Sequence, residues 1–327
     1  MSEHPLPLQT PERLVSVCIP AYNSNRYIGE TIDSLLNQSY QNLEIIVVDD
    51  GSTDGTSAVL KRIKDRRFTF ALQKNKGASA ARNVAFRLSS GSFIKFMDAD
   101  DLLNPACIER QVAKLLGKEG SLASAKWGRF YKDDRSDFRL SSENVWKDLL
   151  GIDWLIESLL PTGANMMQPG IFLAARSLVE QAGPWNESLS LIDDFEYMIR
   201  LISQSGVVLF CDEAVLMYRS GNLDTLSGQT SPKHMVSAFN SLELGIQTIL
   251  SVKNDSRSRQ ACANTYKRWS YLFYPDHEDL LDRLETKIEE LGGSDIDIMG
   301  GPWFLRLSGL VGWKRAKKIK RLLSKRD

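Results

Sequence analysis

The sequence predicts an α/β fold in which helices flank a mostly parallel sheet, followed by a helical C-terminal region. The first observation is the alternation, from Leu14 onward, of short β-rich apolar runs with segments whose apolar residues have helical spacing. The second observation is the helical spacing that continues from His234 to the end of the chain. We therefore expect three parts: an N-terminal extension over residues 1–13, a sheet-containing domain over 14–230 and a helical region over 231–327.

The individual elements can be assigned from these patterns. The strands predicted in the first hundred residues are LVSVCI at 14–19, LEIIVVD at 43–49, FTFALQ at 68–73 and SFIKFMD at 92–98. The helices predicted between them are Arg26 to Gln38, Asp54 to Lys64, with Asp54 as its N-cap, and Ala78 to Leu88. Farther along, the pattern predicts a helix to about Leu116, a strand from Ala123 to Tyr131, and two short strands at 207–210 and 214–219.

The composition is that of a globular protein with a sizeable core. The chain has 327 residues, of which 43% are apolar and 25% are charged. Its four cysteines are far apart and form no CxxC pair, which favours a reducing cytosol over the disulfide-rich secreted class. The N-terminus lacks the apolar core of a signal peptide, and no run reaches the roughly 20 apolar residues that cross a bilayer. We therefore expect a cytoplasmic protein.

The charge of the chain is concentrated at its C-terminal end. The formal net charge is zero overall, but residues 314–327 hold eight basic side chains and one acidic side chain. Residues 300–326 combine this basic run with Trp303, Phe304 and Trp313, a mixture typical of a helix that lies on an anionic membrane surface. The alternative is a helix packed on its own protein with a solvated basic end. Binding to nucleic acid is not expected, because no nucleic-acid-binding motif accompanies the run.

A polar segment follows each of the first four predicted strands. The segments are PAYN at 20–23, DDGSTDG at 49–55, KNKGASAARN at 74–83 and DADD at 98–101. Right-handed crossovers place the carboxyl ends of such strands along one edge, where open α/β sheets bind their ligands. We therefore expect the binding site at this edge.

The DADD segment indicates a divalent cation. Its three carboxylates within four residues repel one another unless a cation lies among them, and hard oxygen ligands suit Mg²⁺ or Mn²⁺. Such a cation could clamp a diphosphate and neutralise the charge that develops as it leaves. The alternative is an acid-rich helix N-terminus, with Asn104 and Pro105 opening the next helix.

Three more side chains at this edge suit a nucleotide. Asp50, after the second strand, can accept the imide N–H of a uracil, and Tyr22, after the first strand, offers an aromatic face. Arg82 could add a cation near the base or the phosphates. The alternatives are that DDGSTDG is only a tight turn into a capped helix and that Arg82 is a solvent-exposed helix residue.

A second acidic pair, Asp193 and Asp194, opens a later helix. Acidic residues at a helix start often only complement the helix dipole. However, Pro184 and Trp185 could supply an apolar wall that desolvates a carboxylate, raises its pKa and makes it a base for an acceptor hydroxyl.

Five segments in fixed order carry a resemblance. They are VSVCIPAYN, EIIVVDDGSTDGT, NKGASAARNVA, FMDADD and GPWNESLSLIDDFEYMIRL. In this order and spacing they resemble the family 2 glycosyltransferases over about residues 14–227. The resemblance implies the GT-A fold, a Rossmann-like sheet flanked by helices. It also implies metal-dependent, inverting transfer of a sugar from a nucleotide-diphosphate donor, usually a UDP-sugar, to a hydroxyl of a glycan, lipid-linked or other acceptor.

The resemblance also implies a role for each matching residue. The donor-binding residues would be Pro20, Tyr22, Asp50, Arg82, Asp98 and Ala99. The ligands of the Mn²⁺ or Mg²⁺ ion would be Asp98 and Asp100. The acceptor or phosphate region would include Trp185, Asp193 and Arg219. Asp194 matches the catalytic base of the family.

The sequence departs from the family pattern after MYR at 217–219, where many relatives have a histidine and this chain continues with SGNLDTLS. A metal or phosphate contact is therefore unfilled, and Arg219 or water could replace it. The missing histidine favours an alternative in which a degenerate fold binds a nucleotide sugar or a partner without chemistry. A nucleotidyltransferase is less favoured, because PAYNSN is not a Gly-rich phosphate loop.

Overall fold

The computed structural model describes residues 13–131, 134–221 and 231–323 of the chain. The rest of the predicted N-terminal extension and the last four residues of the basic run lie outside these ranges. The chain divides into two compact units. The first comprises the residues up to Ser142 with Gln168–Glu187 and Leu209–Gly221, and the second comprises Glu143–Met167, Ser188–Val208 and the chain from Asn222 onward. The predicted boundary near residue 230 divides the chain at a single point, whereas each of these units is made of three separate segments of the sequence.

The strands and helices have the following bounds. The strands are β1 (Val15–Ala21), β2 (Leu43–Asp49), β3 (Phe68–Leu72), β4 (Phe93–Phe96), β5 (Leu102–Leu103), β6 (Leu122–Tyr131), β7 (Asp134–Leu140), β8 (Leu149–Leu150), β9 (Phe172–Ala175) and β10 (Val207–Ser220). The helices are α1 (Ile28–Leu36), α2 (Thr56–Leu60), α3 (Ala78–Leu88), α4 (Cys107–Leu115), α5 (Gly151–Leu159), α6 (Arg176–Ala182), α7 (Asp193–Gln204), α8 (Pro232–Val252), α9 (Ser256–Phe273), α10 (Glu278–Glu290), α11 (Pro302–Val311) and α12 (Trp313–Leu323).

The first unit is built on a mixed sheet with the strand order β3-β2-β1-β4-β9-β6-β10-β5. β3, β2, β1 and β4 run parallel. β1, β2 and β4 are buried on both faces, as expected for a parallel sheet covered by helices, whereas the edge strand β3 is partly exposed. β9 then pairs with β4 and β6 in antiparallel fashion, and β7 and β5 add further antiparallel pairs. The α/β fold is therefore confirmed, but the prediction of a mostly parallel sheet holds only for its N-terminal half.

The later strands differ from the prediction for local reasons. The segments at 207–210 and 214–219 form one strand, β10, instead of two. The polar residues between them do not break it, because Asp212 and Glu213 are exposed and pair with Lys126 and Arg110. β9 was not expected, since its four residues FLAA read equally well as the start of the helix that follows.

The predicted N-cap of α2 also needs correction. Gly55, with φ of 97°, is the N-cap residue, and Asp54 precedes it. Asp54 nevertheless serves the helix start, because its Oδ1 accepts a hydrogen bond from the Thr56 backbone N–H at 3.0 Å. A left-handed φ favours glycine at the cap itself.

The second unit is mainly helical. β8 pairs with the first two residues of β10, and α5, α7, α8 and α9 pack together. α7 and α8 approach closely at Gly245, where a Cβ atom would lie 2.8 Å from the Phe195 ring. α9 begins with a capping box formed by Asp255 and Ser258. The expectation of a helical region after residue 231 is therefore met over the described residues.

Two sequence-based exclusions can be compared with the structure. All four cysteines lie in the described ranges, and each is a buried, free thiol. Over the same ranges, no helix combines the length and apolar character required to cross a bilayer.

Candidate functional site

The loops after β1 and β2 are joined into one structure at the carboxyl edge of the sheet. The Asn23 backbone N–H donates to Ser52 Oγ at 2.9 Å, and the Thr53 N–H donates back to Asn23 Oδ1 at 2.9 Å. Asn23 adopts a left-handed backbone with φ of 49°, a conformation that asparagine tolerates better than most residues. The joined loops leave the neighbouring Tyr22 side chain half exposed, and its contact with a base stays a prediction.

Asp50 anchors the next loop along this edge. Its Oδ1 accepts from Gln73 Nε2 at 2.6 Å and from the Lys76 N–H at 2.8 Å, and its Oδ2 accepts from the Gly77 N–H at 2.8 Å. The side chain is buried. A carboxylate has about four acceptor positions, so one remains for the predicted contact with a base. That contact stays a prediction.

Arg82 is not the solvent-exposed helix residue of the alternative interpretation. Its side chain is buried, and Nη2 forms an ion pair with Asp98 Oδ1 at 2.7 Å. The guanidinium lies 4.4 Å from the centroid of the Trp185 ring, which itself meets Phe96 edge-on at 5.3 Å. Arg82 therefore links α3 to the DADD segment and to Trp185.

Trp185 belongs to the first unit, held there by a residue that sequence reasoning missed. Asn83 Nδ2 donates to the Trp185 carbonyl at 3.0 Å and to Glu187 Oε1 at 2.9 Å, and the Trp185 N–H donates to Asn83 Oδ1 at 2.9 Å. The described contacts of the Trp185 ring are thus with Phe96 and Arg82, and its predicted role as an apolar wall for an acidic residue stays a prediction. Asn83 stands in the KNKGASAARN segment, but sequence patterns could not identify its partner Trp185, which lies about a hundred residues away in the chain.

The DADD segment contains three carboxylates in different surroundings. Asp98 is partly exposed and carries the ion pair to Arg82. Asp101 is fully buried, and its carboxylate accepts from Gln168 Nε2 at 2.5 Å and from the Arg219 N–H at 3.0 Å. Gln168 Nε2 also lies 3.4 Å from Asp98 Oδ2, and its Oε1 is buried with no hydrogen-bond partner among the described residues. Gln168 was not predicted as a site residue.

The crowding of these acids disfavours their charged forms. Burial, and then the charge of Asp98, raise the pKa of Asp100 to about 7, while Arg219 opposes this shift. Burial, and then Asp100 and Asp98, raise the pKa of Asp101 well above its ordinary value. A cation bound beside Asp98 and Asp100 would relieve this repulsion.

Arg219 supports the same loop from an enclosed position. Its side chain is fully buried, Nε donates to the Asp100 carbonyl at 2.9 Å, and Nη2 forms an ion pair with Glu30. The guanidinium lies 4.4 Å from the centroid of the Tyr27 ring and 4.6 Å from that of Phe130. The predicted phosphate contact of Arg219 stays a prediction, and it would require the guanidinium to leave these partners.

The donor chemistry of Asp98 and Asp100 fits a cation shared with a substrate. Magnesium is commonly held by one or two protein carboxylates together with substrate phosphates and water. Over the described part of the chain, no group of three or more His, Cys, Asp or Glu side chains is arranged to hold a metal ion. Asp98 and Asp100 supply two carboxylates of the kind that Mg²⁺ or Mn²⁺ prefers, and the binding of a metal ion there stays a prediction.

Asp193 and Asp194 lie in the second unit, at the start of α7. The helix begins after Ile192, which has φ of 52°, and Ser241 Oγ donates to the Ile192 carbonyl at 2.5 Å. Both acids are partly exposed, and Asp194 Oδ1 accepts from the Phe195 N–H at 2.9 Å. An acidic first turn is stabilised by the helix dipole. The catalytic role of Asp194 stays a prediction.

Comparison with protein families identifies one matching family. The model of glycosyl transferase family 2 matches residues 16–177. Among curated proteins, the chain is 34% identical over 149 residues to the glycosyltransferase GlyG of Streptococcus pneumoniae, a match that covers 45% of this chain and 47% of that protein. It is 31% identical over 215 residues to an uncharacterized glycosyltransferase of Haemophilus influenzae, covering 63% and 65%. The matched region thus spans less than two thirds of these relatives.

Solved structures of the same fold are also similar. A crystal structure of residues 1–349 of S. aureus TarS in complex with UDP-GlcNAc superposes with a TM-score of 0.70. The match covers 94% of this chain and 92% of that chain at 18% identity. The structure of the same TarS fragment with UDP gives a TM-score of 0.66. At this level of identity the likeness establishes the fold, which is the GT-A fold expected from the resemblance.

Proposed function

We propose, because the model of glycosyl transferase family 2 matches residues 16–177, that this chain belongs to that family and transfers a sugar from a nucleotide-diphosphate donor to an acceptor hydroxyl. The proposed donor is a UDP-sugar, consistent with the complexes of the TarS fragment with UDP-GlcNAc and UDP. The proposed acceptor is a glycan, a lipid-linked group or another hydroxyl compound in glycoconjugate biosynthesis.

The main support for this proposal is the position and the surroundings of the Asp98 and Asp100 carboxylates. These carboxylates lie at the carboxyl edge of the parallel strands, where α/β sheets bind nucleotides, and burial with mutual repulsion raises the pKa of Asp100 to about 7. Mn²⁺ or Mg²⁺ held by the pair would neutralise the diphosphate as it leaves. The chain's own residues supply the rest of donor binding: Tyr22 offers its half-exposed ring to the base, and Asp50 offers its remaining acceptor position.

The proposed transfer inverts the anomeric centre in one displacement. Asp194 is the base that accepts the proton of the acceptor hydroxyl, the hydroxyl oxygen forms the new bond to the anomeric carbon, and the bond to the diphosphate breaks. No covalent sugar–enzyme intermediate is expected. The partly exposed carboxylate of Asp194 at the start of α7 is accessible enough for this role.

Donor binding can be tested without knowing the acceptor. Nucleotide sugars are screened with Mn²⁺ by thermal unfolding, because a ligand at about 100 times its Kd stabilises the folded state by about 2.7 kcal/mol. Asp100→Ala should remove the Mn²⁺-dependent part of this stabilisation, whereas Asp33→Ala, which removes an exposed acid of the same unit, should not. Equal stabilisation of all three proteins with and without a chelator would refute the metal proposal.

The base is tested by transfer itself. Asp194→Asn should bind the donor nearly as well as the native protein but lose transfer by roughly 100-fold or more, the usual contribution of general base catalysis. Asp279→Asn is the matched control, since it removes the same charge from the exposed first turn of another helix of the second unit. Normal turnover by Asp194→Asn would eliminate this base. Donor binding with no donor consumption across candidate acceptors would instead favour the non-catalytic binding protein.

A further inference from the structure

The last two helices of the second unit form a hairpin. α11 and α12 contact each other and are joined at Gly312, which has φ of 81°. The Lys320 ammonium, near the end of α12, lies 5.7 Å from the centroid of the Phe304 ring, near the start of α11. The two helices therefore run in opposite directions.

One side of this hairpin packs on α9. Phe304 and Trp313 both contact Tyr271, with ring centroids 5.6 Å and 6.4 Å apart, and Ala316 is fully buried. The Lys317 ammonium donates to the backbone carbonyl of Tyr274 at 2.5 Å. The inner side of the hairpin is thus defined by residues from both helices.

Some of the basic residues are used in this packing. Lys314 forms an ion pair with Glu285 at 2.9 Å, and Arg321 forms one with Asp276 at 2.7 Å. Burial lowers the pKa of Lys317 to about 8, which is consistent with its enclosed position. These three cations therefore have partners within the second unit, although the side chains of Lys314 and Arg321 are 40% and 44% exposed.

The outer side of the hairpin carries apolar and basic residues in alternation. On α11, Trp303, Arg306 and Leu310 are all exposed and lie at positions i, i+3 and i+7, so they share one face. Leu310 is 83% exposed and Trp303 is 52% exposed, so both large apolar side chains are accessible on this face. On α12, Arg315 and Lys318 are exposed, and the Lys318 ammonium also lies 5.4 Å from the centroid of the Tyr274 ring.

The same spacing continues to the end of α12. Leu322, 66% exposed, lies seven residues after Arg315 and therefore on its face. The sequence contains no acidic residue between Asp297 and Asp327. The outer face thus combines large apolar side chains with cations and has no acidic residue of its own segment to neutralise them.

We propose that the outer face of the α11–α12 hairpin binds an anionic lipid surface. Its apolar side chains would enter the acyl boundary while Arg306, Arg315 and Lys318 meet the head groups, as in helices that lie in a membrane interface. A nucleic acid or an acidic protein would account for the cations but not for Trp303 and Leu310 exposed on the same face. This inference does not depend on the proposed sugar transfer.

Vesicle sedimentation tests the proposal with the full chain. Binding is measured on vesicles of phosphatidylcholine alone and on vesicles containing about 30% phosphatidylglycerol, at low and at high salt. We expect binding to the anionic vesicles, weakened by salt because the head-group attraction is screened. Each Lys or Arg near such a surface contributes about fivefold in affinity, so the variant R306Q/R315Q/K318Q should bind roughly 100-fold more weakly.

Matched variants separate the face from general effects. W303S/L310S should also lose binding, whereas L244S/V252S, which removes two exposed apolar residues of α8, should retain it. K61Q/R62Q/K64Q removes the same charge from an exposed stretch of the first unit and should bind like the native chain. Circular dichroism and urea unfolding check that each variant folds.

Three results would overturn the proposal. The first is no binding to anionic vesicles at low salt. The second is equal binding of the outer-face variants and their controls. The third is binding to duplex DNA without binding to vesicles. If salt and the variant R306Q/R315Q/K318Q weaken that DNA binding while W303S/L310S leaves it unchanged, the face binds a nucleic acid instead of a membrane.

Discussion

Arg219→Met is the change that most directly tests how the acidic loop is held. Methionine keeps the packing of the side-chain stem and removes the guanidinium. The loss includes the hydrogen bond from Nε to the Asp100 carbonyl at 2.9 Å, worth about 1.5–3 kcal/mol for a charged donor. It also includes two cation–π contacts, at 4.4 Å and 4.6 Å, worth roughly 1 kcal/mol each.

The ion pair with Glu30 adds less to this sum. The Glu30 side chain is 41% exposed and also pairs with Arg135, so solvent screening limits the contribution of its pair with Arg219 to under about 1 kcal/mol. Against these losses, the variant no longer buries a charge, which costs several kcal/mol in the native protein. The expected net destabilisation is therefore about 2–3 kcal/mol.

Urea unfolding followed by tryptophan fluorescence measures this difference. Arg135→Gln is the control, because it removes the exposed partner of the same Glu30 and should change the free energy of unfolding by less than about 0.5 kcal/mol. If Arg219→Met unfolds at the same urea concentration as Arg135→Gln, the enclosed network does not stabilise the loop and the reasoning fails.

Three other predictions concern buried positions of the first unit. Burial lowers the pKa of Lys95, so above that folded-state pKa the unfolded state binds more protons than the native state. The free energy of unfolding should therefore rise with pH until about 10.4, the ordinary pKa of lysine. Urea midpoints measured between pH 7 and pH 10 should show this rise for the native protein and not for Lys95→Met. Asn83→Ala removes the clamp on Trp185 and should cost about 2–3 kcal/mol, seen as a lower Tm. Gly91→Ala places a Cβ atom 2.4 Å from Ser16 Oγ and 2.7 Å from the Ser16 backbone nitrogen, so we expect the free energy of unfolding to fall by about 1–3 kcal/mol, again seen as a lower Tm. An unchanged Tm would show that the backbone at Gly91 can shift away from β1 at little cost.

The parallel half of the sheet could be predicted because its signals are local. β2 and α3 have the bounds that their apolar patterns indicated, since a run of β-branched residues and a 3.6-residue spacing each lie within one short segment. In the antiparallel half, β6 was predicted to within one residue, but β9 and the continuity of β10 were not. β9 is only four residues long, and β10 contains charged residues whose exposure depends on which neighbours they meet.

The candidate site shows the same division. The sequence by itself determined the resemblance to family 2 glycosyltransferases and the acids at the carboxyl edge, because DDGSTDG and DADD are contiguous and follow apolar strands. Only the tertiary structure decided what surrounds them. Gln168 and Arg219 reach Asp101 from positions 67 and 118 residues away in the chain, and no local pattern encodes such a pairing.

The basic run at the C-terminus is a second feature for which the sequence left two alternatives. Its composition alone predicted either a membrane-binding helix or a helix packed on its own protein. The tertiary structure decided which cations have partners within the protein, because Lys314, Lys317 and Arg321 meet acids or carbonyls of α9, α10 and the turn between them. Composition counts charges, but only packing determines which of them remain exposed to solvent.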